Sequence, residues 1–164
     1  MSFLVINNSD MKSVLKLIVF LLMTNISFAQ AWYFEYQSQG TYYPYGTVVS
    51  FRADGKVDFT KTHLHTQRVY EKWEATIEKE VLDIFLKELM NNCRFFDLPE
   101  SSGEPIRIKD SSYDYFTLIY RDKKHTIGGY GASHDKVYAT VYAAYNNMWG
   151  KIKNIKVLTD PKNE

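Results

Sequence analysis

The residues best suited to chemistry are two histidines, His63 and His65, separated only by Leu64. On an extended chain, side chains at i and i+2 point the same way, so two neutral imidazoles there could share a metal ion. A third ligand must come from distant sequence: His125, His134 or a carboxylate. His63, His65 and His125 are the candidate metal set. The plainer reading is a pair of polar residues at an exposed strand end, and no His-Glu-x-x-His zinc spacing occurs in the chain. His134 and Asp135 form an acid/base pair in sequence, but neighbours on a helix diverge, which favours capping. Asp110 and Asp114 could serve hydrolysis in a suitable cleft. Ser111, Ser112 and Ser133 stand outside any Gly-x-Ser-x-Gly context. Gly128-Gly129-Tyr130-Gly131 follows a strand and precedes a helix, the setting of an anion loop, yet lacks the Lys-Ser/Thr end of a phosphate loop. No catalytic residue and no cofactor is implied.

The segment from Ala31 to Tyr45 is unusually aromatic, with Trp32, Tyr33, Phe34, Tyr36, Tyr42, Tyr43 and Tyr45. Tyrosines beside glycine and serine suit a binding surface, because they bury area at low entropic cost. They suit an edge strand folded onto a core equally well. Trp32, Tyr36, Tyr42, Tyr43 and Tyr45 are therefore the candidate binding residues.

Export is the second expectation. Lys12 and Lys16 precede the apolar run from Leu17 to Met23, and Ser27-Phe28-Ala29 supplies a small-x-small cleavage site before Gln30. This is the layout of a secretory signal peptide over residues 1 to 29, with Met11 an alternative start. The apolar run is shorter than the ~20 residues that span a bilayer, so no stable membrane span is expected after cleavage. The expected location is the periplasm or the exterior. The whole chain carries a formal charge of +1. Removing Asp10, Lys12 and Lys16 leaves acids and bases balanced, which argues against nucleic acid as a partner. Cys93 is the sole cysteine, so no internal disulfide forms, and its place beside Phe95 and Phe96 suggests a buried thiol.

These residues need elements to position them. Trp32 to Tyr36 reads as a strand. Thr47 to Lys61 reads as a hairpin whose register can be argued: a three-residue loop, Ala53-Asp54-Gly55 with left-handed Gly55, pairs Phe51 with Val57 and Val49 with Phe59 on one face. Arg68 to Glu74 could add a strand, but its alternation decides little. Val81, Leu82, Phe85, Leu86, Leu89 and Met90 make the stripe of an amphipathic helix over 77 to 98, with Thr76 as N-cap and Asn91-Asn92 at its end. Tyr113 to Tyr130 reads as a second hairpin with a two-residue Asp122-Lys123 turn, which sets Tyr120 opposite His125 and Leu118 opposite Ile127. Ser133 or Asp135 caps a last helix whose stripe runs from Val137 through Tyr138, Val141, Tyr142, Tyr145, Met148 and Trp149 to Ile152, with Gly150 as a possible end. The expected fold is α+β: one antiparallel sheet of two hairpins plus an N-terminal strand, covered by two helices in the order β-ββ-α-ββ-α. It occupies residues 30 to 157, followed by a loose tail over 158 to 164.

The first hairpin, a helix ending in Asn-Cys-Arg-Phe-Phe-Asp-Leu-Pro (92 to 99), then Asp114 and the hairpin from Phe116 to Ile127 resemble a group of small exported Gram-negative proteins known as domains of unknown function. The likeness covers about residues 47 to 150. It implies an α+β fold and an exported setting, and brings no catalytic residues with it. The expectation is thus an exported, non-catalytic module that binds a protein or small ligand, such as an inhibitor, an immunity protein or an envelope accessory. The alternative is a small hydrolase or metal enzyme using His63, His65 and His125.

Overall fold

The computed structural model describes residues 31 to 41, 44 to 101 and 110 to 156. The expected signal peptide, Tyr42, Tyr43 and the expected tail lie outside these residues. The described chain is α+β. Its sheet has six strands where the sequence suggests five: β1 (Trp32–Gln39), β2 (Tyr45–Arg52), β3 (Lys56–His63), β4 (Val69–Thr76), β5 (Tyr113–Tyr120) and β6 (Lys123–Tyr130). All are antiparallel, in the spatial order β4-β3-β2-β1-β5-β6. The aromatic N-terminal strand is therefore central, flanked by both hairpins. The extra strand is β4. Its inward side offers Glu71, Trp73 and Ala75 while Val69 stays 52% exposed, so period-two hydrophobicity is nearly absent. An end strand needs apolar cover less than a central one does.

The first hairpin takes the expected register, Val49 opposite Phe59 and Phe51 opposite Val57. Gly55 sits at φ +93°, and an added Cβ would lie 2.8 Å from the Ile77 carbonyl oxygen. The second hairpin departs from expectation. Its turn is Arg121-Asp122, so Tyr120 faces Lys123, Leu118 faces His125 and Phe116 faces Ile127. The expected register is off by two residues, a slip that leaves every side chain on its own face. Hydrophobic pattern cannot see such a slip. Arg121 settles it by adopting φ 54° at the first turn position.

Both helices cover one face of the sheet. In α1 (Lys79–Lys87), Leu82 and Phe85 are buried, and the helix continues into a π turn (Glu88–Asn92) that buries Leu89. The expected N-cap is corrected, since Thr76 ends β4 and the cap position belongs to Glu78, whose side chain makes no capping bond. Arg94 at φ 49° stops the helix after Asn92. Before α2 (Ala139–Lys156), the Asp135 carboxylate accepts from the Val137 N–H at 2.9 Å. Gly150 does not end α2. Its stripe buries Val141, Tyr145, Met148 and Ile152; the 3-10 turn before it (Lys136–Tyr138) buries Tyr138, while Val137 faces outward.

Phe34 of β1 is the hub of the core. It meets Phe85 edge-on at 5.1 Å, Phe51 at 5.8 Å, Phe116 at 6.0 Å and Phe95 at 6.2 Å. Edge-on aromatic packing adds to the free energy of area burial. The other sheet face is polar and cross-linked: Arg52 pairs with Asp58 at 3.0 Å, Thr117 with Thr126 at 2.9 Å, and Tyr33 donates to Glu35.

Candidate binding surface

The aromatic residues singled out by sequence divide between two places. Trp32 is a core residue, 5% exposed. Tyr36 lies under α2, 4.3 Å from the Tyr145 ring and 5.0 Å from Phe116. Its hydroxyl donates to Asp114 Oδ1 at 2.8 Å, and the Ser112 hydroxyl donates to Asp114 Oδ2 at 2.5 Å. Asp114 is 1% exposed, so its carboxylate is a buried acceptor satisfied by neutral donors. Burial raises the pKa values of Tyr36, Tyr142 and Tyr145, and the Asp114 charge raises them further. These hydroxyls are held protonated. The arrangement joins β1, β5 and α2, and Asp110 takes no part in it, standing exposed in a turn at φ 69°. The Asp110–Asp114 pair is thus an exposed residue and a structural one.

Tyr45 has the opposite surroundings. It opens β2 opposite His63, the last residue of β3, with ring centroids 5.5 Å apart. Tyr70 of β4 completes the corner, edge-on to Tyr45 at 5.0 Å and 6.1 Å from His63. A bulge between Lys61 and Thr62 brings it there by shifting the β3–β4 register. Such an insertion re-aims a side chain. Lys61 Nζ lies 5.1 Å from the Tyr45 ring centroid, and the Arg68 guanidinium carbon 5.6 Å from that of Tyr70. These are cation–π distances. The Tyr45 hydroxyl pKa is raised by its hydrogen bond with Tyr70.

The connecting turn is pinned. The His63 N–H donates to the Arg68 carbonyl at 2.9 Å and the Gln67 N–H to the His63 carbonyl at 2.8 Å. The Thr66 N–H donates to His63 Nδ1 at 3.2 Å. Leu64 donates its N–H to the Pro44 carbonyl at 2.6 Å and seats its side chain on Gly46, where a Cβ would lie 2.8 Å from Leu64 Cδ2. A side chain at position 46 would push the Leu64 side chain off this seat. Despite this order, Tyr70 remains 52% exposed.

The candidate metal set is not assembled. His63 and His65 are neighbours, with ring centroids 5.8 Å apart, but His65 lies beyond the end of β3. His125 is on β6, four strands from β3, which is roughly 19 Å at ~4.8 Å per strand. Its Nε2 is 2.7 Å from the Leu98 carbonyl oxygen, which ties β6 to the segment after α1. Among the described residues no group of three His, Cys, Asp or Glu could hold a metal ion. The glycine run has structural reasons: a Cβ on Gly128 would fall 2.1 Å from the Asp114 carbonyl oxygen, and Gly129 and Gly131 stand at φ +133° and +71°. Cys93 is buried, and burial pushes its thiol pKa up. A hollow of about 410 Å³ beside Met90, Phe96 and Tyr120 has a charged rim, where Arg94 and Asp97 pair at 2.9 Å.

The exposed corner thus contains one residue named from the sequence as a binding residue, Tyr45, and one named for metal chemistry, His63. Tyr70, Lys61 and Arg68 carry no such signal in the sequence. Reading Arg68 to Glu74 as a strand paired with β3 would have drawn Tyr70 toward Tyr45. No protein-family model matches the chain, and no match is found among curated proteins. Among the described residues no helix is long and apolar enough to cross a membrane.

Proposed function

We propose that this protein is an exported, non-catalytic binding module that meets its partner through the Tyr45–His63–Tyr70 corner and the adjoining Tyr42-Tyr43 segment. The observation that carries this reading is the half-exposed Tyr70, held edge-on to Tyr45 by a bulge and a pinned turn. Ordered aromatic rings that remain in solvent bury large area on binding and forfeit little freedom. Lys61 and Arg68 over the ring faces add polar contacts at the rim. The signal-like N-terminus and the resemblance to small exported Gram-negative proteins support the export part of the proposal. An inhibitor, immunity protein or envelope accessory subunit acts through such a surface. The partner is then a protein, and no nucleic-acid contact is proposed.

The test is affinity capture from envelope extract, with the wild-type chain set beside a Tyr45→Ala/Tyr70→Ala variant. The proposal expects a partner retained by the wild-type chain and lost by the variant, whose circular dichroism and thermal midpoint stay near those of wild type. Equal capture by both chains would remove the corner from the interface.

A further inference from the structure

The two ends of the sheet are treated differently. At one end β6 is tied to the segment that follows α1: the Gly128 N–H donates to the Glu100 carbonyl at 3.0 Å, and His125 bonds Leu98. The glycines of β6 also stand at φ +129° and +133°, so its edge is irregular. At the other end β4 has β3 on one side and no strand on the other among the described residues. It pairs regularly with β3 from Glu71 to Thr76, which makes its outer edge a straight template.

Charges on an end strand ordinarily deter pairing. Among the pairings that engage most of β4, its charges favour one instead. Two copies of one strand placed antiparallel in a continuous sheet are related by a twofold axis perpendicular to it, and residues on the same face must meet. An axis through Glu71 or Glu74 sets two glutamates against each other, and an axis through Lys72 sets two lysines together. An axis through Trp73 places Lys72 of each copy opposite Glu74 of the other, on the exposed face. On the inward face it places Trp73 against Trp73 and Glu71 against Ala75. There Trp73 already stacks on Phe59 at 4.9 Å and on Trp149 at 5.9 Å, so the twofold would join two aromatic stacks. Cross-strand pairs of opposite charge and of aromatic rings both stabilise a sheet.

We propose that a second copy of this chain pairs antiparallel with β4 about a twofold axis through Trp73, making one continuous twelve-stranded sheet from two six-stranded ones. The occupant is argued from charge: in this register a second copy supplies Glu74 opposite Lys72 and Lys72 opposite Glu74 at once. The twofold also places the two Tyr45–Tyr70 corners at opposite ends of the paired strands. A partner with repeated sites would then be held at two points, which strengthens attachment without any new contact.

Sedimentation velocity of the purified protein across a concentration series tests this. The wild-type chain should show a concentration-dependent monomer–dimer equilibrium. Lys72→Glu sets glutamate against glutamate, and Glu74→Lys sets lysine against lysine. Each should raise the dimer dissociation constant at least tenfold. The double variant Lys72→Glu/Glu74→Lys restores opposite charges and should dimerise within about threefold of wild type. An equimolar mixture of the two single variants should form a heterodimer. Circular dichroism checks that each variant keeps the monomer fold. A wild-type protein that stays monomeric, single variants that dimerise as wild type does, or a double variant and mixture that stay monomeric would each overturn the proposal.

Discussion

Tyr36 and Tyr45 lie on neighbouring strands and point to the same face of one sheet, yet they do different things. Tyr36 sits beneath α2, packed on Tyr145 and Phe116, with its hydroxyl spent on a buried carboxylate. Tyr45 sits toward the end of the same face, beside Tyr70, where the rings stay partly in solvent. The residue type is identical and the strand geometry is shared. What separates them is the cover provided by α2. An aromatic-rich segment is therefore neither core nor surface as a whole: a helix two elements or more away in sequence decides residue by residue.

The comparison can be broken most severely from its buried side. Phe116 is fully buried and touches Phe34, Tyr36, Tyr142 and Tyr145. Phe116→Ala should cost about 3–5 kcal/mol in urea unfolding, the range for deleting a buried aromatic side chain. A loss below ~1 kcal/mol would show that this side is not close-packed.

Asp114→Ala comes next. It strands the Tyr36 and Ser112 hydroxyls without their acceptor, and leaving buried donors unsatisfied costs about 1–3 kcal/mol. The same loss is expected when the variant is measured at pH 6 and at pH 8, because the donors are neutral at both.

Alkaline titration sharpens the contrast further. Burial, with the adjacent Glu35 carboxylate, lifts the Tyr33 hydroxyl from its ordinary 10.0 to about 12, and burial raises Tyr36, Tyr142 and Tyr145 as well. Each folded value lies above the unfolded one, so the fold retains protons that the unfolded chain has released. The stabilisation is therefore complete below about pH 10 and is lost as pH rises through 10 toward 12 and above. Tyrosinate absorbance should rise in two stages, the second coinciding with loss of circular dichroism. A single stage that finishes with the fold intact would contradict the burial of these hydroxyls.

The smallest expected effect is on the exposed side. Tyr70→Ala removes a half-exposed ring and a cation–π contact with Arg68, so stability should change by about 0.5–1 kcal/mol or less. A larger loss would make the corner part of the folding core.

Much of this arrangement is legible in the sequence, and the unread parts have physical causes. The α+β class, the core stripe of both helices and the first hairpin's register follow from periodicity, since only the three-residue loop puts both apolar pairs of that hairpin on one face. The second register was open because a two-residue slip preserves both faces, leaving Arg121 in an unexpected left-handed conformation to decide it. β4 was obscured because an end strand carries Glu71 and Lys72 where a central strand would carry valines. Trp32 and Tyr36 look like surface candidates in the sequence because nothing local announces that β1 lies between two hairpins. The corner was half visible: Tyr45 and His63 stood out by type, while Tyr70, Lys61 and Arg68 join them only through strand pairing.

The most direct measurement sets the two tyrosine regions against each other in one capture experiment from envelope extract. Tyr36→Phe keeps the packed ring and deletes only its hydroxyl, whereas Tyr45→Ala/Tyr70→Ala removes the half-exposed Tyr70 ring and the partly buried Tyr45 ring beside it. If the corner is the binding surface, Tyr36→Phe retains the partner that the wild-type chain holds and the corner variant loses it, with both variants folded at the assay temperature. Retention of that partner by the corner variant would contradict the account.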